Sequence, residues 1–318
     1  MSLRRFVAKR ALSVVPIMFG VSVITFGLFH LTPGDPVSQL VALNPDVTAA
    51  EEARLRERWG LDGPVWEQYL QWISNVFVGD FGQELRTGRE VSAIVWQRLP
   101  ETVALGLFGW AFALVIAIPT GIYAAVHRDG FGDTASRVLA LSGISIPNFW
   151  LGLMLILVFS LYLGLFPVLA PSRLPLYHPE MLWYLVLPGV TIGTAAAASI
   201  MRVMRTSMAE ELNKGYVTAA RAKGLPERTV VLKHVLRNSL VSVVTLAATL
   251  TASIVAGSVV VEVVFNWPGL GREFIDAINR REINVVMAIT LFTGFFVVLA
   301  NFLADIAYAA LDPRIRYD

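Results

Sequence analysis

The residues best suited to specific chemistry lie together in one short segment, Tyr216–Asn238. It contains five Lys or Arg residues, one His and a single acid, Glu227, in a sequence rich in alanine. A Gly-Leu-Pro sequence at residues 224–226 divides the segment in two. Side chains of this kind suit three tasks: they bind the phosphates of a nucleic acid, they bind those of a lipid headgroup, or they receive the surface of another protein.

The rest of the sequence offers little for catalysis. It has no cysteine, which excludes disulfides, thiolate metal ligands and cysteine nucleophiles. It also lacks the GxxxxGK[ST], HExxH and GxSxG patterns of nucleotide, zinc and serine-hydrolase sites. The four histidines (His30, His127, His178 and His234) are far apart along the chain. We therefore predict no catalytic residue, no metal site and no cofactor bound by this chain.

Composition indicates which elements hold the basic segment. The 318 residues are 55% hydrophobic and 16% charged, with a mean hydropathy of +0.61, whereas soluble domains are about 25% charged. Apolar stretches of 20 or so residues can cross about 30 Å of hydrocarbon as helices. The sequence thus predicts an all-α, polytopic membrane protein with six transmembrane helices. The six stretches without Asp, Glu, Lys or Arg are Ala11–Leu31, Thr102–Val126, Val138–Pro171, Met181–Met201, Ser239–Val261 and Val285–Ala304.

Two of these stretches need interpretation. The third is too short for two spans, so it is predicted as one span with a kink at Ile146-Pro147 and an apolar end near Phe166-Pro167. The first is longer than the 7–15 apolar residues of a cleaved signal peptide, so it is expected to remain as a span. Ion-coupled carriers place ionisable residues inside their spans. Here the nearest ones, Glu262 and Asp305, are expected at span ends, at the membrane interface.

The distribution of charge predicts the orientation. Six spans put both termini on one side, and that side carries 16 Lys or Arg residues, against 4 in the short loops of the other side. By the positive-inside rule both termini are cytoplasmic. Tyr216–Asn238 then lies in the cytosol, between the fourth and fifth spans. The short connectors are predicted at Arg128–Arg137 and Pro171–Glu180, and the turn-rich Asn266–Gly271 is expected to cap the bundle or line its external mouth.

The long outer segment, Thr32–Glu101, is predicted to fold as a small extracytoplasmic helical module between spans one and two. Thr48-Ala-Ala-Glu51 resembles a capping box, which would start a helix that ends near Gly60. Pro64 suits the first turn of a second helix. So small a module buries little core alone and is expected to lean on the span ends or on a partner.

The second helix of this module has an apolar stripe at spacings of three and four residues. Its aromatic residues Trp66, Tyr69 and Trp72 are open to two interpretations. They pack and anchor the helix at the membrane interface, or they contact a partner protein. The stripe consists of Trp66, Tyr69, Leu70, Ile73, Val76 and Phe77.

The cytoplasmic segment is predicted as two short helices. The fourth span continues through Arg202–Asn213 and ends at Lys214-Gly215. A helix follows over Tyr216–Lys223, and Gly224 stops it in a left-handed conformation. Pro226 then opens a second helix that leads into the fifth span at Ser239.

Three hypotheses compete for this segment. A DNA-binding helix-turn-helix is excluded because both ends are tied to membrane spans. Binding of anionic lipid would require neither the Gly-Leu-Pro break nor the alanines. The favoured hypothesis is a docking helix for a cytosolic motor protein, because Ala219, Ala220 and Ala222 allow a close approach. Arg221, Lys223 and Arg228 would surround that contact with charge.

The segment resembles a known pattern. Thr218-Ala219-Ala220, three further residues and Gly224 are similar to the E-A-A-x3-G loop of ATP-binding-cassette importer permeases. The fuller pattern resembles the dipeptide/oligopeptide/nickel subgroup and comprises Tyr216, Ala219 to Leu225, His234 and Leu236-Arg237-Asn238. Two positions depart from it: Thr218 stands in place of the leading Glu, and Ser242 stands where the family has a proline. Further matching motifs are Thr32-Pro-Gly-Asp-Pro36, Gly60-Leu61-Asp62, Gln68-Tyr69, Leu99-Pro100-Glu-Thr102, Ser145-Ile-Pro147, Phe149-Trp150 and Asp312-Pro-Arg314.

The resemblance implies a type I importer permease fold, in the plasma or inner membrane of a prokaryotic cell. It implies a homologous second permease subunit, two cytosolic ATPase subunits that bind ATP and Mg²⁺, an external solute-binding protein and a lipid bilayer, but no nucleic acid. The implied cargo is a short peptide moved by alternating access, with a nickel chelate or glutathione as alternatives. If the partner-contact interpretation of the apolar stripe holds, that partner would be the binding protein, contacted by Trp66, Tyr69 and Trp72. The implied ATPase contacts are Tyr216, Thr218, Ala219, Ala220, Arg221, Ala222, Lys223, Gly224, Leu225 and Arg228.

The predicted organisation has four parts. Residues 1–31 form the cytoplasmic N-terminus and first span, residues 32–98 the outer module, residues 99–309 a five-span domain with the cytoplasmic loop 202–238, and residues 310–318 a cytoplasmic tail. A passive channel or an ion-coupled carrier is the alternative from another functional class. The charge-free spans argue against the carrier, and the docking pattern argues against both.

Overall fold

The computed structural model describes residues 3–31, 37, 41, 48–58, 62–171 and 178–311. Within these ranges the regular structure is helical, and extended pairing is limited to one isolated bridge between Gln83 and Glu90. The predicted all-α class is confirmed. The helices are α1 (Leu3–Leu31), α2 (Ala49–Arg58), α3 (Val65–Phe77), α4 (Val91–Val126), α5 (Phe131–Ser145), α6 (Asn148–Leu155, continued as a π-helix over Ile156–Tyr162), α7 (Pro179–Leu212), α8 (Gly215–Ala222), α9 (Leu236–Val264), α10 (Leu270–Arg280) and α11 (Ile283–Leu311).

The span prediction agrees with the helices, with one difference of shape. In the part of the chain that the structure describes, five helices are long and apolar enough to cross a membrane, and six if the pair α5–α6 counts as one span. The pair breaks at Ile146-Pro147 as predicted, because a proline restricts the preceding residue to an extended conformation. The two arms bend by 108°, however, so this is a sharply broken element rather than a kinked helix.

The helices extend beyond the charge-free stretches that predicted them. The second span begins at Val91 rather than Thr102, because the helix continues outside its apolar part. The segment Arg128–Arg137, predicted as a connector, is partly helical. Asp133 in α5 is fully buried and accepts hydrogen bonds from Arg137 on its own helix and from Arg205 Nη2 of α7 at 2.9 Å. The buried carboxylate therefore joins α5 to α7.

The chain divides into two compact units. The first consists of residues 1–11, 100–272 and 297–318. Its most buried span is α7, which packs against α5, α6 and α9. Small residues allow α7 to lie close to α4: a Cβ on Gly193 would lie only 2.5 Å from the carbonyl oxygen of Gly109. Close approach through small residues is a common way for helices to associate in lipid, where the hydrophobic effect does not drive them together.

Glu262 lies two residues before the end of α9, so its expected place at a span end is confirmed, but its environment differs from the expected membrane interface. Its side chain is fully buried, and it accepts hydrogen bonds from Thr102 Oγ1 at 2.9 Å and from the Arg272 amide at 3.0 Å. The indole of Trp267 is also buried and donates to the Glu101 carbonyl at 2.9 Å. The Asn266–Gly271 turn is thereby fastened to the Leu99–Thr102 motif. Polar groups buried in this way are stable because each has a hydrogen-bond partner.

The other predicted span-end acid, Asp305, forms an ion pair with Arg10 at 3.2 Å. Both residues belong to the first unit. The pair joins the N-terminal part of α1 to the C-terminal part of α11. The Asp305 side chain is partly exposed, which is consistent with the expected position at the membrane interface.

The second unit consists of residues 12–99 and 273–296. The predicted capping box is present: the Thr48 amide donates to Glu51 Oε2 at 2.9 Å, and the Glu51 amide donates to Thr48 Oγ1 at 3.3 Å. The amide of Thr48 lowers the pKa of the Glu51 carboxyl. Further along, the buried Glu282 carboxylate accepts from the amides of Leu85 and Arg86 at 2.7 and 3.1 Å, which holds the loop before α4.

Candidate functional site

The predicted docking segment forms two sharp turns around the short helix α8. The fourth span, α7, ends at Leu212, and Lys214 is the extended residue immediately before α8. After α8 the chain turns again at Gly224, and a helical turn over Glu227–Thr229 follows Pro226. The predicted order of helix, glycine stop, proline and second helix is confirmed. A π-helical stretch over Val230–Val235, which the sequence pattern did not predict, then leads into α9.

One face of α8 is part of the protein core. Val217 is fully buried and Ala220 is 9% exposed. Both belong to the same hydrophobic cluster as Met208 of α7 and as Val230 and Val235 of the π-helical stretch. A helix of two turns has little stability alone, so this burial is what orders α8. It also corrects the prediction for Ala220, which packs inward and is not available to a partner.

A polar network fixes the start of α8. The Tyr216 hydroxyl donates to Glu211 Oε2 at 2.7 Å and accepts from Asn238 Nδ2 at 3.2 Å, while Lys214 pairs with the same Glu211. Burial, and then the neighbouring Glu211 carboxylate, raise the pKa of the Tyr216 phenol, so it remains a donor at neutral pH. The Glu211 hydrogen bond raises the pKa of Lys214. These contacts tie together the end of α7, the start of α8 and the start of α9.

The end of α8 has the geometry of a Schellman motif. Gly224 has φ +76°, its amide donates to the Arg221 carbonyl at 2.9 Å, and the Leu225 amide donates to the Ala220 carbonyl at 3.4 Å. The predicted left-handed conformation of Gly224 is confirmed. A Cβ added at Gly224 would meet no atom within 4 Å. The position is therefore constrained by backbone conformation and leaves open space beside the helix.

The outward face of α8 and its following turn combines small and basic side chains. Arg221 is held by Glu227, with Nη2 to Oε1 at 2.6 Å and Nε to Oε2 at 3.1 Å. Lys223 and Arg228 are exposed. Such a surface suits a close contact with the backbone and acids of another protein. Its exposed members are Thr218, Ala219, Arg221, Ala222, Lys223, Gly224, Leu225 and Arg228.

Sequence reasoning missed the residues that support α8. Glu211 lies before the recognised pattern, and Asn238 was noted only as part of the resemblance. Their contact with Tyr216 joins residues 5 and 22 positions away from it in sequence. A Tyr-Glu pair across a predicted turn was a possible signal, but the pairing depends on the angle between α7 and α8.

The second predicted group, on α3, is divided between two faces. Tyr69 and Trp72 pack against Phe26 of α1 with ring centroids at 5.4 and 5.5 Å, and Tyr69 Oη lies 2.8 Å from Ser22 Oγ. They therefore hold the helix against the first span, and both side chains are half-buried. Trp66 is 62% exposed. The expectation that the module leans on a span is confirmed.

Some residues of the resemblance lie outside the described residues. These are Thr32 to Pro36, Gly60 and Leu61, and Asp312 to Arg314. Thr102 of the Leu99–Thr102 motif is described, and its hydroxyl bonds to Glu262. Pro147 occupies the break between α5 and α6.

Comparison with known proteins identifies the family. The profile described as "Binding-protein-dependent transport system inner membrane component" matches residues 117–317. A profile described as "Binding-prot-dependent transport system membrane comp, N-term" matches residues 3–106. Together the two profiles cover most of the chain.

Relatives and a solved structure agree with these profiles. The chain is 38% identical to the oligopeptide transport system permease protein AppB of Bacillus subtilis (strain 168), over 98% of this chain and 99% of that protein. It is 39% identical to the glutathione transport system permease protein GsiC of Escherichia coli (strain K12), with the same coverage. A chain of the inward-facing MetNI methionine ABC transporter is similar in fold, with a TM-score of 0.56 and 21% identity over 69% of this chain and 96% of that one. The chain thus belongs to the family of binding-protein-dependent transport system inner membrane components, the permeases of ABC importers.

Proposed function

We propose that this chain is one permease subunit of an ATP-driven importer of short peptides, and that α8 is the element through which ATPase subunits drive it. The relatives named for oligopeptide and glutathione transport support a peptide cargo, because glutathione is itself a small peptide. Glutathione is therefore the second candidate cargo. No relative reported above is named for a nickel chelate.

The observation that carries the proposal is the construction of α8. Its inner face is buried, its start is bound to the ends of α7 and α9 through Tyr216, and its outer face is exposed. A force applied to α8 is therefore transmitted to two spans instead of being absorbed by a loop. A partner shifts a conformational equilibrium only through contacts that differ between the two states. A rigid contact of this kind allows such a difference at α8 to reach the spans.

The remaining parts of the machine follow from this assignment. Two cytosolic ATPase subunits bind ATP and Mg²⁺ and perform the hydrolysis, so the chain itself has no catalytic residue and binds no cofactor. A second, homologous permease completes the path, and an external solute-binding protein delivers the peptide. The excess of Lys and Arg on the side that contains α8 supports cytoplasmic termini.

The decisive experiment places a charge at the open position beside α8. Asn and Asp both tolerate a left-handed conformation, so Gly224→Asn and Gly224→Asp differ mainly in charge. Gly88→Asp is a matched control, because Gly88 has φ +70°, lies in the exposed loop before α4 and also meets no atom within 4 Å of an added Cβ. Each variant is produced with its partner subunits, and the measurements are co-purification of the ATPases and peptide-stimulated ATP hydrolysis in proteoliposomes.

We expect all three variants to reach the membrane in normal amounts. Gly224→Asp should lose the ATPase subunits or their stimulation by peptide, Gly224→Asn should lose less, and Gly88→Asp should behave as the unmodified chain. Normal retention and stimulation in Gly224→Asp would contradict the docking role of α8. Cargo is tested separately by uptake of a labelled dipeptide, an oligopeptide and glutathione into the same proteoliposomes.

A further inference from the structure

The helix α3 has an exposed apolar surface that the proposed coupling mechanism does not use. Trp66, Leu70 and Phe77 are 62%, 55% and 85% exposed. They are four and seven residues apart, so they share one face of the helix. Large exposed apolar surfaces on a protein mark a contact with lipid or with another molecule. The adjacent face is polar and exposed, and consists of Glu67, Gln71, Ser74 and Asn75.

A third face of α3 packs along the side of α1. Besides the aromatic contacts of Tyr69 and Trp72 with Phe26, the Gln68 side chain lies 3.1 Å from His30 Nε2. The contacts with α1 therefore extend from His30 back toward the middle of that helix. This arrangement places α3 beside the first span rather than beyond its end.

These contacts also indicate the depth of α3. The apolar span in α1 covers Val7–Leu28. Tyr69 Oη is 2.8 Å from Ser22 Oγ, and the Tyr69 ring lies 6.4 Å from that of Phe19. Ser22 precedes Leu28 by six residues, or about 9 Å at 1.5 Å per residue. Interfacial amphipathic helices bury their apolar face by about 5–10 Å, which is the same depth.

The exposed surfaces of α1 and α3 meet at this contact. Phe19 touches Tyr69 and is itself 61% exposed, and Ile24 is 64% exposed, although both lie within the membrane span. Exposed apolar residues of a span contact either hydrocarbon or another membrane subunit. Tyr69 therefore places α3 beside an exposed apolar surface within the first span.

We propose that α3 is an interfacial membrane helix at the Leu28 end of the first span. Trp66, Leu70 and Phe77 insert among the lipid acyl chains, while Glu67 and Gln71 face the headgroups and water. Trp is enriched at this level of a bilayer because its ring is apolar and its N–H is polar. Of the two interpretations that the sequence leaves open for the aromatic residues of α3, the proposal selects anchoring at the membrane interface, where the helix also supports α1 laterally.

The absence of cysteine from the sequence permits a direct test. Single cysteines at positions 66, 70 and 77, and at the polar positions 67, 71 and 75, each carry one spin label. The full-length chain is reconstituted into vesicles of phosphatidylethanolamine and phosphatidylglycerol, alone and in complex with cysteine-free partner subunits. Collision of each label with oxygen, which enters lipid, is compared with collision with a water-soluble nickel chelate.

We expect the labels at 66, 70 and 77 to collide mainly with oxygen and those at 67, 71 and 75 mainly with the nickel chelate, alone and in the complex. Nickel collisions at all six positions would overturn the proposal, because α3 would then be in water and open to a soluble binding protein. Exclusion of both reagents from 66, 70 and 77 in the complex would also overturn it, because a second subunit would then cover the face.

A second measurement avoids labels. Vesicles that contain lipids brominated near the carbonyl end of the acyl chains quench tryptophans at interface depth. We expect brominated lipid to quench a larger fraction of the tryptophan fluorescence in the unmodified chain than in Trp66→Phe. Equal quenching of the two chains would contradict lipid contact at this position. Trp267→Phe, at a fully buried tryptophan of the first unit, controls for the loss of one emitter that lipid does not reach.

Discussion

The two short helices α8 and α3 are held by similar contacts and present different outer surfaces. A tyrosine hydroxyl fastens each of them, Tyr216 to Glu211 at 2.7 Å and Tyr69 to Ser22 at 2.8 Å. The outer face of α8 carries alanines and basic residues, whereas that of α3 carries exposed aromatic and aliphatic residues. In both cases the inner face orders the helix, while the outer face suits it to a protein in water or to lipid.

We expect the largest change in stability when an alanine of α8 is replaced by Asp. The same replacement at two neighbouring alanines, one on the inner face and one on the outer face, compares the two faces. Ala220→Asp places an unpaired charge in the core and should cost several kcal/mol of stability, because a buried charge without a partner is strongly unfavourable. Ala219→Asp, on the exposed side, should change stability by about 0.5 kcal/mol or less, yet lose ATPase retention. Thermal unfolding in detergent and co-purification measure the two effects. Equal melting temperatures would show that the faces are assigned wrongly.

The next effect tests the inner face of α3. Phe26 is 6% exposed and contacts both Tyr69 and Trp72, so Phe26→Ala should cost about 3 kcal/mol. The matched control is Phe19→Ala, which removes the same ring from a position that is 61% exposed and should cost less than about 1 kcal/mol. The measurement is thermal unfolding. Retention of the ATPases should remain normal in both, and its loss in Phe26→Ala would mean that α3 and α8 are not independent.

A smaller effect compares the two tyrosine hydroxyls. Tyr216→Phe removes a hydrogen bond to a carboxylate in a partly exposed network and should cost about 1.5 kcal/mol, against about 1 kcal/mol for Tyr69→Phe. The functional readouts should diverge more than the stabilities. We expect Tyr216→Phe to lower peptide-stimulated ATP hydrolysis and Tyr69→Phe to leave it unchanged. Identical stimulation in the two variants would contradict a role for Tyr216 in transmitting movement from α8 to the spans.

The smallest expected effect on stability concerns the exposed pair Arg221–Glu227. Pairs between exposed side chains contribute little, so Arg221→Ala and Glu227→Ala should leave the melting temperature unchanged within error. Both variants break the same pair, but only Arg221→Ala removes a cation from the outer face of α8. Loss of ATPase affinity in Arg221→Ala alone would assign Arg221 to the contact. Equal losses would indicate instead that the pair orders the turn.

Features that depend on local chemistry were predictable from the sequence. The break at Ile146-Pro147 follows from the proline, which has no amide hydrogen and restricts the residue before it to an extended conformation. The capping box follows from the spacing of Thr48 and Glu51. The end of α8 follows from the need for glycine at positive φ. The spans follow from runs without charge. The family follows from the order of motifs along the chain, and the comparisons confirm it.

The membrane class, the approximate spans and the position of α8 could be predicted from residue types and spacing, with the bounds of α8 shifted by one residue. Three features became visible only in the folded chain: Glu262 is buried, Ala220 faces the core, and Tyr69 and Trp72 pack on the first span. The physical reason is that proline, glycine and charge act through the adjacent backbone or the solvent. Burial and pairing instead depend on which distant segments meet, as when Thr102 binds Glu262 across 160 residues of sequence.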